Sequence, residues 1–166
     1  MEGLNYEADV LIVGGGLAGL TAAVKLKEER EDLEVLVVDK GGIGWAGQTP
    51  LGGGCAIYVP SDGVDEFINS IVEKGYGLSN LDWLNSFANS SEQSFMELFS
   101  WGLPFMKGPD GKLYLSSAAY WGTKNKMTSF VPHKILLQLK KLALARGVKI
   151  LNKIEVVDLL KDDKRI

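Results

Sequence analysis

Cysteine and histidine are the scarcest reactive residues in this 166-residue sequence, one of each, Cys55 and His133. A single thiol excludes an internal disulfide framework and any multi-cysteine metal or iron–sulfur site within the chain, and a single imidazole excludes a histidine-rich metal centre. The carboxylates show no metal-ligand spacing, and no serine–histidine–acid order is worth proposing, because a triad is defined by geometry. Long apolar runs are missing too. No run of uncharged apolar residues reaches the roughly 18 of a membrane span, and Met1 to Asp9 carries three acids and no base, so neither a span nor a secretory signal is expected. The expected setting is a reducing cytoplasm. A net charge of −3 gives no general case for nucleic-acid binding. Residues 124–166 do hold 11 basic and 4 acidic side chains, against 7 and 17 before them. Their lysines are not interleaved with aromatics as a single-strand groove requires, so they are read as facing solvent or another protein surface.

What is present is a folding composition, 46% apolar and 23% charged, at about the length of one domain. Glycine is in excess. At 20 residues it makes up about 12% against a usual level near 7%, concentrated before residue 64, where backbone turns are expected to approach something closely.

The opening stretch is the most legible. Val10 to Val13 is a β-branched apolar run without strict alternation, as expected of a central parallel strand covered on both faces. It leads directly into Gly14-x-Gly16-x-x-Gly19. Ala18 to Glu31 then reads as a helix with Leu20, Ala23, Val24 and Leu26 as its apolar stripe, and Leu33 to Val38 as a second strand ending at Asp39. In this strand, turn and helix setting the glycines gain a dinucleotide-binding meaning: Gly14 permits the tight turn, Gly16 lets the backbone approach a pyrophosphate, and Gly19 lets helix and strand pack closely. Helix N–H groups and the positive end of the dipole then face the phosphates. Asp39 is placed to accept hydrogen bonds from the adenosine ribose, which favours FAD or NAD over a phosphorylated ribose.

Lys40 to Ile57 is a long glycine-rich passage where a simple nicotinamide-binding domain would more often enter another crossover helix. Its low-profile backbone, with Gln48 and Thr49 as polar partners, suits a flat flavin ring better than a packed core. An NAD-dependent oxidoreductase and a non-catalytic nucleotide-binding or assembly module remain the alternatives at this point.

The run Asp9 to Gly19, the strand ending Val37-Val38-Asp39-Lys40, the segments Gly47-Gln48-Thr49 and Gly52-Gly53-Gly54, and Trp101-Gly102-Leu103-Pro104-Phe105 with Pro109-Asp110-Gly111 together resemble the amino-terminal part of flavoprotein subunits of the fumarate reductase and succinate dehydrogenase superfamily. That group also includes L-aspartate oxidase and the alpha subunit of adenylylsulfate reductase. The resemblance implies an α/β fold, a Rossmann-like FAD-binding domain with a parallel sheet and flanking helices. It assigns the pyrophosphate to the Gly14–Gly19 motif and the ribose to Asp39, with Lys40 beside it, and passes Gln48, Thr49, Gly53 and Gly54 beside the isoalloxazine. Superfamily members with covalent flavin carry a histidine in this segment. None occurs between Lys40 and Ile57, so the resemblance implies noncovalent FAD. It further implies that residues 1–166 are the amino-terminal portion of the FAD domain, with the capping domain and the rest of that domain elsewhere. The parent enzyme is expected to move a hydride between a small anionic substrate and the flavin, with a possible electron-transfer subunit as partner, and the portion alone is expected to be inactive.

Elsewhere, Val64 to Glu73 and Leu81 to Trp101 read as helices, the longer one capped by Ser79, with Trp83 as a core residue. Trp45 and Trp101 keep a possible flavin-side position, and Cys55 is expected as buried packing. Lys112 to Tyr120 offers one short strand. Pro132 opens a helix to about Arg146, terminated by Gly147, and His133 in its first turn is read as capping or surface. Val148 to Leu151 returns as a strand. Lys153 to Leu160 is expected as another, followed by a turn over 161–164 and a return strand that stops at Ile166, as in a chain cut short.

Overall fold

The computed structural model describes residues 5–118, 122 and 124–160. They form two compact units: residues up to Gly52 together with those from Pro132 onward, and Gly53–Val131.

In the first unit the strands β1 (Val10–Val13), β2 (Val35–Asp39) and β6 (Lys149–Asn152) form a parallel sheet in the order β1-β2-β6. Ile12 stands opposite Val37, and Asp39 opposite Asn152. The covered central strand is therefore β2, whose Val35, Leu36, Val37 and Val38 are all buried. This corrects the expectation for β1, an edge strand among the described residues, whose Leu11 and Val13 are 47% and 58% exposed while Val10 and Ile12 are half-buried. Four consecutive apolar residues look the same in sequence whether one face or two is covered.

Helix α1 (Leu17–Glu29) packs against β2 and against α4 (Pro132–Ala145). Of the stripe predicted for α1, Leu20, Ala23 and Val24 are buried and Leu26 is half-buried; on α4, Ile135, Leu136, Leu139 and Ala143 are buried. Each large aliphatic among them contributes about 1.5–3 kcal/mol by leaving water. Arg146 donates to the Val24 carbonyl at 3.0 Å and to Glu28 at 3.1 Å, stapling the two helices. Gly147 terminates α4 as expected, at φ +82°, with Val148 N–H reaching the Ala143 carbonyl at 3.0 Å.

The second unit contains the antiparallel sheet β3-β5-β4 (β3, Cys55–Tyr58; β4, Ser116–Ser117; β5, Lys126–Ser129) and the helices α2 (Val64–Lys74) and α3 (Leu81–Ser100). Its core centres on Val59, Phe67 and Ala88, with Ile57, Ile68, Ile71 and Leu84 against them. Two expectations fail on α3. The cap is Asn80, whose side chain accepts from Trp83 N–H at 3.0 Å, while the Ser79 hydroxyl donates instead to the Ile71 carbonyl. Trp83 is 78% exposed, because the inward stripe runs through Leu84, Ala88, Ser91 and Phe95, and Trp83 lies one residue, about 100°, off it.

The strand expected over residues 153–160 does not form. Lys153 takes φ +59°, and after Ile154 donates to the Asp39 carbonyl the chain leaves β2, with Val157 and Leu160 exposed and no ladder partner among the described residues. The turn and return strand expected over 161–166 lie outside the described residues.

Candidate functional site

The site grows from the carboxyl ends of the parallel strands, the edge at which open α/β sheets receive ligands. β1 is followed by Gly14, whose N–H donates to the Val38 carbonyl at 2.8 Å and whose φ of +104° only glycine adopts without strain. The backbone then turns directly into α1. Gly19 meets this turn from one helical turn on: a Cβ there would lie 1.9 Å from the Gly14 carbonyl oxygen, so the third glycine closes helix onto strand. Gly16 is different. It precedes the helix at φ −75° and ψ −168°, open to any residue, and a Cβ there would meet no protein atom within 4 Å. Its lack of a side chain answers to nothing inside the protein, as expected where the space is kept for a ligand.

No side chain caps the α1 N-terminus, and no acid lies in its first turn to neutralise its field. The first-turn N–H groups therefore stand ready for an anion. Beside them, the Asp39 carboxylate is held by two backbone donors, Gly15 N–H to one oxygen and Gly41 N–H to the other, both at 2.7 Å. Each carboxylate oxygen offers a further lone pair, so two ribose hydroxyls can still be accepted.

Sequence reasoning missed how this loop is supported. A Cβ on Gly15 would come within 2.1 Å of Ile43 Cδ1, so the second glycine of the triplet is required by the buried Ile43 beneath it. Ile43 N–H in turn donates to the side-chain oxygen of Asn152 at 2.9 Å. A polar residue at the carboxyl end of a strand paired with Asp39 was the available signal.

Of the other expected residues, Lys40 is exposed. Gln48 and Thr49 lie in the first unit, where Thr49–Leu51 forms a 3-10 turn packed against α4. Gly53 and Gly54 begin the second unit. Cys55 is exposed at the start of β3, which corrects its reading as buried packing. Cys55 shares a strand face with Ile57, which packs on the core, but as the first residue of β3 it lies beyond that cover. Trp45, 67% exposed, stacks on His133 at 4.9 Å between ring centroids and 15° between planes. That gives His133 a packing partner sequence reasoning did not name. Among the described residues no group of three or more His, Cys, Asp or Glu side chains could hold a metal, and no helix is long and apolar enough to cross a membrane.

A parallel sheet ending in a glycine turn, an uncapped helix start and an acid on the next strand define a dinucleotide-binding protein. Residues 9–166 match the FAD binding domain family, and the chain belongs to it, with FAD as its cofactor. The open Gly16, the uncapped helix and the spare capacity of Asp39 fit that group. The chain is 28% identical over 159 residues to L-aspartate oxidase of Clostridium perfringens, which covers 92% of this chain and 34% of that protein. To the fumarate reductase flavoprotein subunit of Mycobacterium tuberculosis it is 27% identical over 139 residues, 79% of this chain and 22% of that one. It thus spans about a third or less of these relatives. Among solved structures, E. coli quinol fumarate reductase superposes with a TM-score of 0.74 at 24% identity, over 95% of this chain and 28% of that one. A 3-ketosteroid-delta4-(5alpha)-dehydrogenase from Rhodococcus jostii gives 0.72 at 20% identity, over 98% and 41%. Both share the fold.

Proposed function

We propose that Gly14, Gly16 and Gly19 cradle the FAD pyrophosphate at the start of α1 and that Asp39 accepts the hydroxyls of the adenosine ribose, with Lys40 alongside. The observation that carries this is the vacancy at Gly16, a position with no steric need for glycine within the protein, at an uncapped helix start. On the family resemblance, Gln48, Thr49, Gly53 and Gly54 serve the isoalloxazine. Attachment is noncovalent, in keeping with the absence of histidine from residues 40–57.

The whole protein is an FAD-dependent oxidoreductase acting on a small dicarboxylate-like anion, a reading supported by relatives named L-aspartate oxidase and fumarate reductase flavoprotein subunit. When bound, FAD supplies hydride transfer at its N5 atom. The residues described here bind and orient the nucleotide end, and groups that exclude water and align a substrate belong to the remainder of such an enzyme. A partner that carries electrons is supported by the quinol reductase among the similar structures, and a reducing cytoplasm by the single cysteine.

The test is the visible absorbance and fluorescence spectrum of the purified protein, with the chromophore released by denaturation and compared with FAD, FMN and NAD. Stoichiometric release of FAD is expected. Binding of NAD with no uptake of added FAD would overturn the assignment. A longer chain assayed with dicarboxylates then tests the substrate class.

A further inference from the structure

We propose that Asn152 is a positioning residue for the FAD site, holding the floor of the glycine turn through the backbone of Ile43; the inference rests on the FAD-binding reading above. Asn152 ends β6 directly opposite Asp39 in the β2–β6 register. Its side-chain oxygen accepts from Ile43 N–H at 2.9 Å, across 109 residues of sequence. Ile43, only 2% exposed, fills the space below Gly15. Gly15 donates to Asp39, Asp39 also accepts from Gly41, and the Gly41 carbonyl accepts from Lys153 N–H at 3.0 Å, one residue beyond Asn152. The contacts close into a circuit: Asn152 to Ile43 to Gly15 to Asp39 to Gly41 and back to the end of β6.

The residue type follows from its place. Residues 42–46 form a turn in which Trp45 and Ala46 N–H both donate to the Gly42 carbonyl, and the buried backbone of Ile43 needs an acceptor from outside that turn. An aspartate could accept as well, but it would put a second carboxylate about 5 Å, one strand spacing, from Asp39, beside a site that must take a diphosphate. Asparagine supplies the acceptor without the charge.

The test is titration of the full 166-residue chain with FAD and separately with ADP, followed by protein fluorescence. The variants Asn152→Leu, Asn152→Ala and Asn152→Asp accompany the wild type, and thermal unfolding of each apo protein identifies the folded ones. If the wild type binds no FAD, the cofactor reading is what fails. If it binds, the Leu and Ala variants that remain folded should lose about tenfold in affinity for both FAD and ADP, the effect of losing one part-buried hydrogen bond at the donor that anchors the turn. Asn152→Asp should lose similarly at low salt and recover to within about threefold of wild type at about 0.5 M salt, where repulsion is screened. A folded Leu or Ala variant with unchanged FAD affinity, or an Asp variant that salt does not rescue, would overturn the proposal.

Discussion

The Tyr58 hydroxyl donates to the Glu92 carboxylate at 2.5 Å, tying β3 to α3, and the other oxygen of Glu92 accepts from Ser61 N–H at 2.9 Å. The hydrogen bond, followed by burial, pushes the Tyr58 hydroxyl up from 10.0 to about 12, and the same bond holds Glu92 below its ordinary 4.5. For Tyr58 the folded value exceeds the unfolded one, so its contribution is whole below pH 10 and is lost as pH rises toward 12. For Glu92 the contribution is present above 4.5 and is lost as pH falls through its depressed folded value. The urea midpoint of the wild type should therefore fall more steeply between pH 10 and 12 than that of Tyr58→Phe. Parallel profiles would remove the pair from the stability of this unit.

Gly16 and Gly19 should separate binding from folding. Gly16→Val places its side chain in open space on an ordinary extended backbone, so the apo melting temperature should stay within a few degrees while FAD affinity falls by at least about 100-fold, some 2.7 kcal/mol. Retained affinity would show that the pyrophosphate does not lie there.

Gly19→Ala drives its Cβ to 1.9 Å from the Gly14 carbonyl oxygen, a backbone atom that cannot swing aside. Overpacking of this kind costs about 1–3 kcal/mol, and the urea midpoint should drop accordingly. An unchanged midpoint would mean that α1 can slide on β1.

Asp39→Ala should weaken FAD by about 10-fold or more, as expected for loss of charge-assisted hydrogen bonds worth about 1.5–3 kcal/mol, and weaken FMN much less, because FMN lacks the adenosine ribose. Equal losses measured by flavin fluorescence would take the ribose from Asp39 and leave it only its contacts with Gly15 and Gly41.

The β1–α1–β2 unit was legible because its signals are local: apolar runs, glycines at fixed offsets and an acid at a strand end. The α4 helix and its Gly147 terminator were legible for the same reason. What escaped was set at a distance. The exposure of Trp83 depends on which side of α3 meets Phe67 and Val59, and the half-open face of β1 depends on what covers it. Ser79 and Asn80 are both good capping residues, and only the packing of Ser79 against Ile71 decides between them. Residues 153–160 carry strand-like composition but, past the bonds of Lys153 and Ile154, form no ladder among the described residues, and pairing is what makes a strand. At the site, the glycine motif announced itself, whereas Asn152 lies 109 residues from the Ile43 it supports.

That separation also sets an order of assembly. The turn from β1 into α1 and the pairing of β1 with β2 join neighbours along the chain, so they can form early, whereas β6 reaches β2 only after the intervening polypeptide has been gathered in, a loop closure whose entropy must be met before the pairing rewards it. The parallel pairing of Leu36–Asp39 with Lys149–Asn152 is accordingly expected to form late, as a non-local step. A nascent nucleotide turn would exist before it, with its glycines in place and its floor unanchored, and its hold on the cofactor would tighten as β6 docks.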